Sequence, residues 1–404
     1  MAKNYQKTIF ACFTGYIVQA IVNNFAPLLF LTFQDTYGIP LSQITLLITL
    51  NFLLQLLVDL LAIGFVDRIG YRASMVIAHV CSAAGFVLLT ILPEVMPPFA
   101  GLLTAVLVYA VGGGLLEVLV SPVVEACPTR NKESVMSMLH SFYCWGHVGV
   151  VLFSTLFFAV FGIENWKLMA LIWAVIPVVN GIVFTRVPMA PLEEEGEKGL
   201  SVKELFSMKL FWVFLLMMMC AGASEQAVSQ WASTLAEKGL GVSKTVGDLA
   251  GPMAFAVLMG ASRAFYGKYG EKIDLDRFMK MSCILCVVSY LCIVFIPVPA
   301  VALLGCALCG MSVGIMWPGT FSKAAAGLRR GGTAMFAFLA LAGDLGCSGG
   351  PTLVGFVSGT FGEDLRKGIF AALIFPILLL AGLWMEKGIK KAAGEAALFI
   401  RRGK

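Results

Sequence analysis

Asp59, Glu117, Glu125, Glu225, Asp344, His140 and His147 stand inside long apolar runs, where charge is costly. An ionised side chain at the centre of a membrane helix costs about 2.5–3.5 kcal/mol, so each is read first as working chemistry. Burial in a poorly hydrated cavity disfavours a charged carboxylate, which lets the group take up and release a proton during a cycle. Glu117 is the leading proton carrier on this reading; the bland alternative is a buried glutamate bonded to a neighbouring helix. Histidine titrates near neutral pH, so His147 meeting Asp344 across a cavity would couple protonation to movement. An interhelical hydrogen bond without that role competes equally. His140 lies two turns before His147 on the same face. Glu125 reads as an end contact with Arg130 or Lys132.

A second group is suited to hydroxyl recognition. Glu225, Gln226, Gln230 and Trp231 fall within two turns of one run. Amides and carboxylates offer paired donors and acceptors, and an indole face stacks on the C–H face of a sugar. Gln19, Asn23 and Asn24 could face them from the first run, with Gln55 as a companion and Trp317 as a further stacking surface. Tryptophan also marks membrane interfaces, so Trp231 has an anchoring alternative. Arg263 falls close to the end of its run and is read, with Asp59, as a gate or interbundle contact. No Lys or Arg is then expected at a span centre, which favours protons, cations or neutral polyols over an anionic ligand.

These residues need elements that hold them at bilayer depth. The chain has 404 residues, 59% hydrophobic and 13% charged, a balance that excludes an ordinary soluble surface. Runs of about 20 apolar residues recur over 8–33, 43–64, 74–93, 99–126, 134–162, 168–186, 209–235, 247–267, 279–297, 300–327, 332–359 and 369–386. Backbone groups in lipid must be satisfied internally, so these are predicted helices. The first run is too long for a removable secretory signal and is followed at once by more spans. Putting both termini in the cytoplasm leaves five of the 29 Lys and Arg residues outside: Lys167, Lys238, Lys244, Arg366 and Lys367. That follows the positive-inside rule, so the +5 formal charge signals topology and not nucleic acid. Cys283-x-x-Cys286 and Cys306-x-x-Cys309 lie within apolar helices without a neighbouring His, and are read as packing residues. No metal, cofactor or disulfide is expected.

The polar stretch from Arg186 to Lys209, with Glu193, Glu194, Glu195, Glu197 and Lys198, divides the spans six and six. The expected organisation is an all-α polytopic membrane protein: bundle 1–187, cytoplasmic linker 188–208, bundle 209–388 and basic tail 389–404. Ser121-Pro122 and Gly146-His147-Val148-Gly149 in the first half are echoed by Trp317-Pro318 and Gly343-Asp344-Leu345-Gly346 in the second. Paired Gly/Pro-interrupted helices in corresponding positions point to a central site.

Gly64-Phe-Val-Asp67-Arg68-Ile-Gly70-Tyr-Arg72 joins the second and third spans. It resembles the signature loop of the major facilitator superfamily, whose residues act in gating and interbundle contact. Gly114-Leu-Leu-Glu117-Val-Leu-Val-Ser121-Pro122 and Asn23-Asn24 resemble motifs of that superfamily's fucose–galactose–glucose proton symporters. His140 to Tyr143, Glu225 to Trp231, Gly260 to Arg263 and Ile315 to Phe321 sit where that family has similar segments, which implies substrate contact for His140, Tyr143 and Trp317. One departure is Ala26-Pro27, where the fucose permease carries an aspartate shortly after the asparagine pair.

The resemblance implies a secondary transporter of a sugar or related polyol that alternates access and is driven by a proton or other ion gradient. It implies a bacterial cytoplasmic membrane protein, taken as a monomer. A proton-coupled exporter of drugs or cationic metabolites is the alternative. No phosphate-binding Gly-rich loop suggests direct ATP use, and no nucleophile–base arrangement supports an enzyme. A membrane sensor that binds without transporting is a further alternative.

Overall fold

The computed structural model describes residues 5–129, 132–190, 200–328 and 331–402. The acidic linker residues from Glu193 to Lys198 lie outside the described residues, as do the side chains of Gly64 and Asp67. Among the described residues twelve helices are long and apolar enough to cross a membrane. The first six are α1 (Gln6–Tyr37), α2 (Leu41–Ala62), α3 (Tyr71–Val95), α4 (Pro98–Ala126), α5 (Met138–Phe161) and α6 (Ile163–Arg186). The second six are α7 (Lys209–Gly239), α8 (Lys244–Tyr266), α9 (Leu275–Phe295), α10 (Pro299–Gly327), α11 (Met335–Thr360) and α12 (Leu365–Ala392). Their unbroken apolar content leaves the backbone no partner but itself, which fixes the helical state.

Small residues set the closest crossings. A Cβ on Gly346 of α11 would lie 1.9 Å from the Met219 carbonyl oxygen of α7, so the two backbones touch directly. Gly222 and Gly350 extend the same seam. Gly112 of α4 meets the Ala78 carbonyl of α3 in the same way, at 2.5 Å. Close backbone approach is how membrane helices gain dispersion contact when lipid offers no hydrophobic drive.

The two sides of the molecule can be told apart by their turns. One, the linker face, carries the turn at Gly70 and the connection after α6; the other, the far face, carries the turns at Gly38, Gly162, Gly241 and Gly362. Gly70 has φ +82°, a conformation that disfavours a side chain, and it lets α2, which continues to Ile69, reverse into α3. Arg72 then donates to the carbonyls of Phe184 (2.7 Å) and Val187 (2.8 Å) at the end of α6. A cation capping the last carbonyls of a helix is favourable. These bonds lie within the first half, so the expectation of Arg72 as a contact across bundles is corrected: its reach matches the neighbouring helix end. Arg68 is exposed.

Among the described residues α8 holds a π-helical turn at Leu249–Met253 and α12 breaks at Leu373, and three more breaks lie in α1, α7 and α10. In α1 the helix gives way at Ala26–Leu29 to a tighter turn around Pro27. In α7 it breaks at Gln230–Trp231, and in α10 at Gly314–Ile315, immediately ahead of Met316. Breaks of this kind expose carbonyls that need other partners. Lys244 of α8 supplies one, donating to the Leu28 carbonyl at 2.6 Å.

Candidate functional site

The halves meet through α1 with α7, α2 with α11, and α5 with α8. The bonds that join them begin near mid-span and run toward the far face. Thr49 and Thr352 hydroxyls lie 2.5 Å apart, Ser348 donates to the Thr49 carbonyl at 3.3 Å, and Thr155 donates to Asp248 at 3.3 Å. Asp248 also accepts from Ser233 and pairs with Lys244 at 3.1 Å. Polar groups sealed at this depth without water gain from every such bond, since each unmet group costs about 1–3 kcal/mol.

At mid-span an amide chain crosses between the halves. Gln55 of α2 donates to Asn23 Oδ1 of α1 (2.8 Å), and Gln230 of α7 donates to the Asn23 carbonyl (3.2 Å) and to Gln226 Oε1 (3.0 Å). Gln226 in turn donates to Glu225 Oε1 at 3.2 Å. Glu225 Oε2 faces the Arg263 guanidinium of α8 at 3.4 Å, and Arg263 also reaches Cys144 of α5 and the Gly314 carbonyl at the α10 break. The Gln226–Gln230 pair needs the i, i+4 spacing of helix, which ends immediately after. A cavity of about 20 Å³, room for one water, is lined by Asn23, Asn51, Tyr109 and Gln230.

Toward the linker face, Gln19 donates to Glu117 Oε2 at 2.8 Å, and Tyr16 shares a hydrogen bond with Ser121 at 2.9 Å. One carboxylate oxygen from each of Asp59, Glu117 and Asp344 lies within 4.8 Å of the others. The three come from α2, α4 and α11, so the cluster spans both halves. Asn24 bonds back to the Ala20 carbonyl at 2.9 Å and touches the Tyr143 hydroxyl at 3.5 Å. His140 tilts against Tyr16. A separate groove of about 450 Å³ is walled by Leu50, Leu53, Leu57 and Leu60 and offers no polar chemistry.

Several sequence-based expectations change here. Asp59 is expected at a gate, and the structure places it beside Glu117 and Asp344. Arg263 is expected near the end of its helix; the helix continues to Tyr269, which carries Arg263 inward to Glu225. A basic group therefore does stand at the centre. His147 does not meet Asp344: no hydrogen bond or ion pair joins them among the described residues. The reason is topological, since α5 packs on α1 and α8 while α11 packs on α2 and α7. Trp231 is fully buried, donates to the Pro351 carbonyl at 3.0 Å and leans on Phe30, so it is neither an interfacial anchor nor an open stacking face. Trp317 lies over Gly343, where a Cβ would collide with its ring. Glu125 is exposed; Arg130 and the Lys132 side chain lie outside the described residues. The missed signal is the i, i+4, i+8 series Asn51, Gln55, Asp59, which lines one buried face of α2.

Residues 9–351 match the family model described as Major Facilitator Superfamily. A membrane protein of Rhizobium meliloti, MosC, is 23% identical over 289 residues, covering 70% of this chain and 68% of MosC. The fold is similar to a bacterial homolog of the human lysosomal transporter Spinster, at TM-score 0.77 and 14% identity over 96% of this chain and 98% of that one. It is similar also to the E. coli fucose:proton symporter (TM-score 0.64, 16% identity, 95% and 99% covered). A D-xylose–proton symporter gives TM-score 0.75 at 14% identity, with 95% and 97% covered. With twelve apolar helices and this match across most of its length, the chain is an integral membrane protein that belongs to the Major Facilitator Superfamily of transporters.

Proposed function

We propose that the chain carries a small polar solute, a sugar or related polyol, by alternating access, and that proton uptake at Glu117 drives the cycle. The observation that carries this reading is the amide chain Gln55–Asn23–Gln230–Gln226, which sits where the halves meet and presents uncharged donors and acceptors. Such groups match hydroxyls, and Arg263, though central, faces Glu225 and is thereby balanced. The fucose and xylose proton symporters among the similar folds support the same solute class and the same driving ion. Closure on the far face agrees with the similarity to a Spinster homolog described as inward-facing, and it supports the reading in which the linker face looks into a bacterial cytoplasm. The units 1–187 and 209–388 are the bodies that rock, each monomer enclosing one pathway.

In the cycle, protonation of Glu117 removes its charge beside Asp344 of the second half and loosens its bond to Gln19, so the two halves can resettle against each other. Release of the proton restores the bond. Proteoliposome uptake of sugars and polyols, with and without an imposed pH gradient, tests this. Gradient-stimulated uptake is expected in the native protein and its loss in Glu117→Gln, with exchange retained. Equal uptake with and without the gradient removes proton coupling; no uptake of any polyol removes the solute class. An exporter of cationic compounds is the second reading, favoured by Asp59, Glu117 and Asp344 meeting without a base, and efflux from loaded vesicles distinguishes it.

A further inference from the structure

The proton reading uses Glu117 alone and leaves Asp59 and Asp344 unexplained. Their oxygens and that of Glu117 lie within 4.8 Å of one another, and among the described residues none of the three makes an ion pair with Lys, Arg or His. Among the described residues the Gln19 amide donates to Glu117, and the Asp59 and Asp344 carboxyls stand in hydrogen-bonding contact with each other. Like charges this close repel strongly where water is scarce. Asp59 is only 7% exposed, and its Oδ1 is enclosed without any hydrogen-bond donor. Two turns away on the same face, Asn51 Oδ1 is also enclosed without a donor, beside the cavity that touches Asn23 and Gln230. The buried face of α2 thus presents two oxygens that lack positive partners.

We propose that Asp59, Glu117 and Asp344 bind one hard metal cation of the size of Na⁺ or Ca²⁺ between the two halves. The three carboxylates offer oxygen alone, which favours hard cations over Zn²⁺ or Cu²⁺. Ca²⁺ takes oxygens at about 2.3–2.6 Å, so ligands on opposite sides stand about 4.6–5.2 Å apart. Na⁺ is of similar size. Mg²⁺, at about 2.0–2.1 Å, needs a tighter cage than this one. Around the three carboxylates, Gln19 of α1 donates to Glu117, Cys347 of α11 lies close to Asp344, and Glu225 and Arg263 form a separate pair. Two ligands belong to the first half and one to the second, so binding ties the halves together on the linker side of the amide chain. Its competition with the proton at Glu117 during the cycle rests on the transport reading above, whereas binding itself does not.

The test is thermal unfolding of the purified full-length protein in NaCl, LiCl, KCl, CaCl₂ or MgCl₂ against N-methylglucamine chloride of equal ionic strength, paired with equilibrium binding of radioactive Na⁺ and Ca²⁺. Stabilisation by Na⁺ or Ca²⁺ but not Mg²⁺ is expected, with about a tenfold or greater loss of apparent affinity in Asp59→Asn and in Asp344→Asn. Each variant is compared with itself with and without the ion, so a lower starting stability does not obscure the result. Glu363→Gln, at the far-face turn, is expected to keep the full response. The Na⁺ and Ca²⁺ arms identify which ion binds. Equal melting in all salts with no bound isotope overturns the proposal, as does an unchanged response in Asp59→Asn. Proton-driven flux without metal binding also overturns it and leaves the transport reading standing; metal binding without any flux supports this site and removes that reading.

Discussion

The Arg263–Glu225 pair is the residue-scale feature with the clearest energetic signature. The two side chains come from α8 and α7 and stand 3.4 Å apart in a site with little solvent. Removing one partner of a buried pair strands the other charge, at a cost of about 3–5 kcal/mol, whereas removing both is far milder. Arg263→Gln is therefore expected to unfold at lower temperature than the Arg263→Gln, Glu225→Gln double variant. Additive losses in that double-mutant cycle, read by thermal unfolding, contradict it. Much of this site was legible in sequence: Glu117, Glu225, Asn23, Asn24, Gln226 and Gln230 were recognisable because intramembrane polar groups are rare. What could not be read was which ones meet. Asp59 and Asp344 lie 285 positions apart in sequence, and their proximity depends on α2 crossing α11, a packing choice no local pattern encodes.

At the scale of the element, the glycine seam between α7 and α11 decides how the second half is built. Gly346→Ala forces a methyl group into the Met219 carbonyl, where no side chain can yield, and overpacking of this kind costs about 1–3 kcal/mol or more. Gly349→Ala, where nothing lies within 4 Å of the added carbon, gains helix propensity and is expected to be neutral or stabilising. Thermal unfolding of the two variants side by side checks this; equal melting temperatures contradict the seam. Helix existence and number were plain from hydropathy, because twenty apolar residues leave few other options. The breaks were less plain. Pro27 marks the one in α1, but α7 breaks at Gln230–Trp231 with no proline, held by the Trp231 bond to Pro351 that only the folded partner supplies.

For the whole molecule, the joints between halves lie from mid-span to the far face, which fits one end of the rocking motion proposed above. Thr49 and Thr352 are in hydroxyl contact, and cysteines placed at both positions are expected to cross-link and arrest transport, with recovery on reduction. Unimpeded flux after complete cross-linking contradicts a rocking mechanism about this seam. The acidic stretch in the sequence suggests a division six and six, whereas the conformational state leaves no trace there, because one sequence must permit both ends of the cycle.

Lys244 adds a consequence of its own. Its ammonium rests on the Leu28 carbonyl of the first half while Glu237 and Asp248, its carboxylate partners, travel with the second. Each separation of the far face strips this trio of its lid and leaves two acids and one amine facing the adjacent fluid. The electrolyte in that compartment, unlike the electrolyte across the bilayer, then screens the newly bared charges. Opening speed is thus expected to follow salinity on the far-face side, a response built into the moving parts themselves.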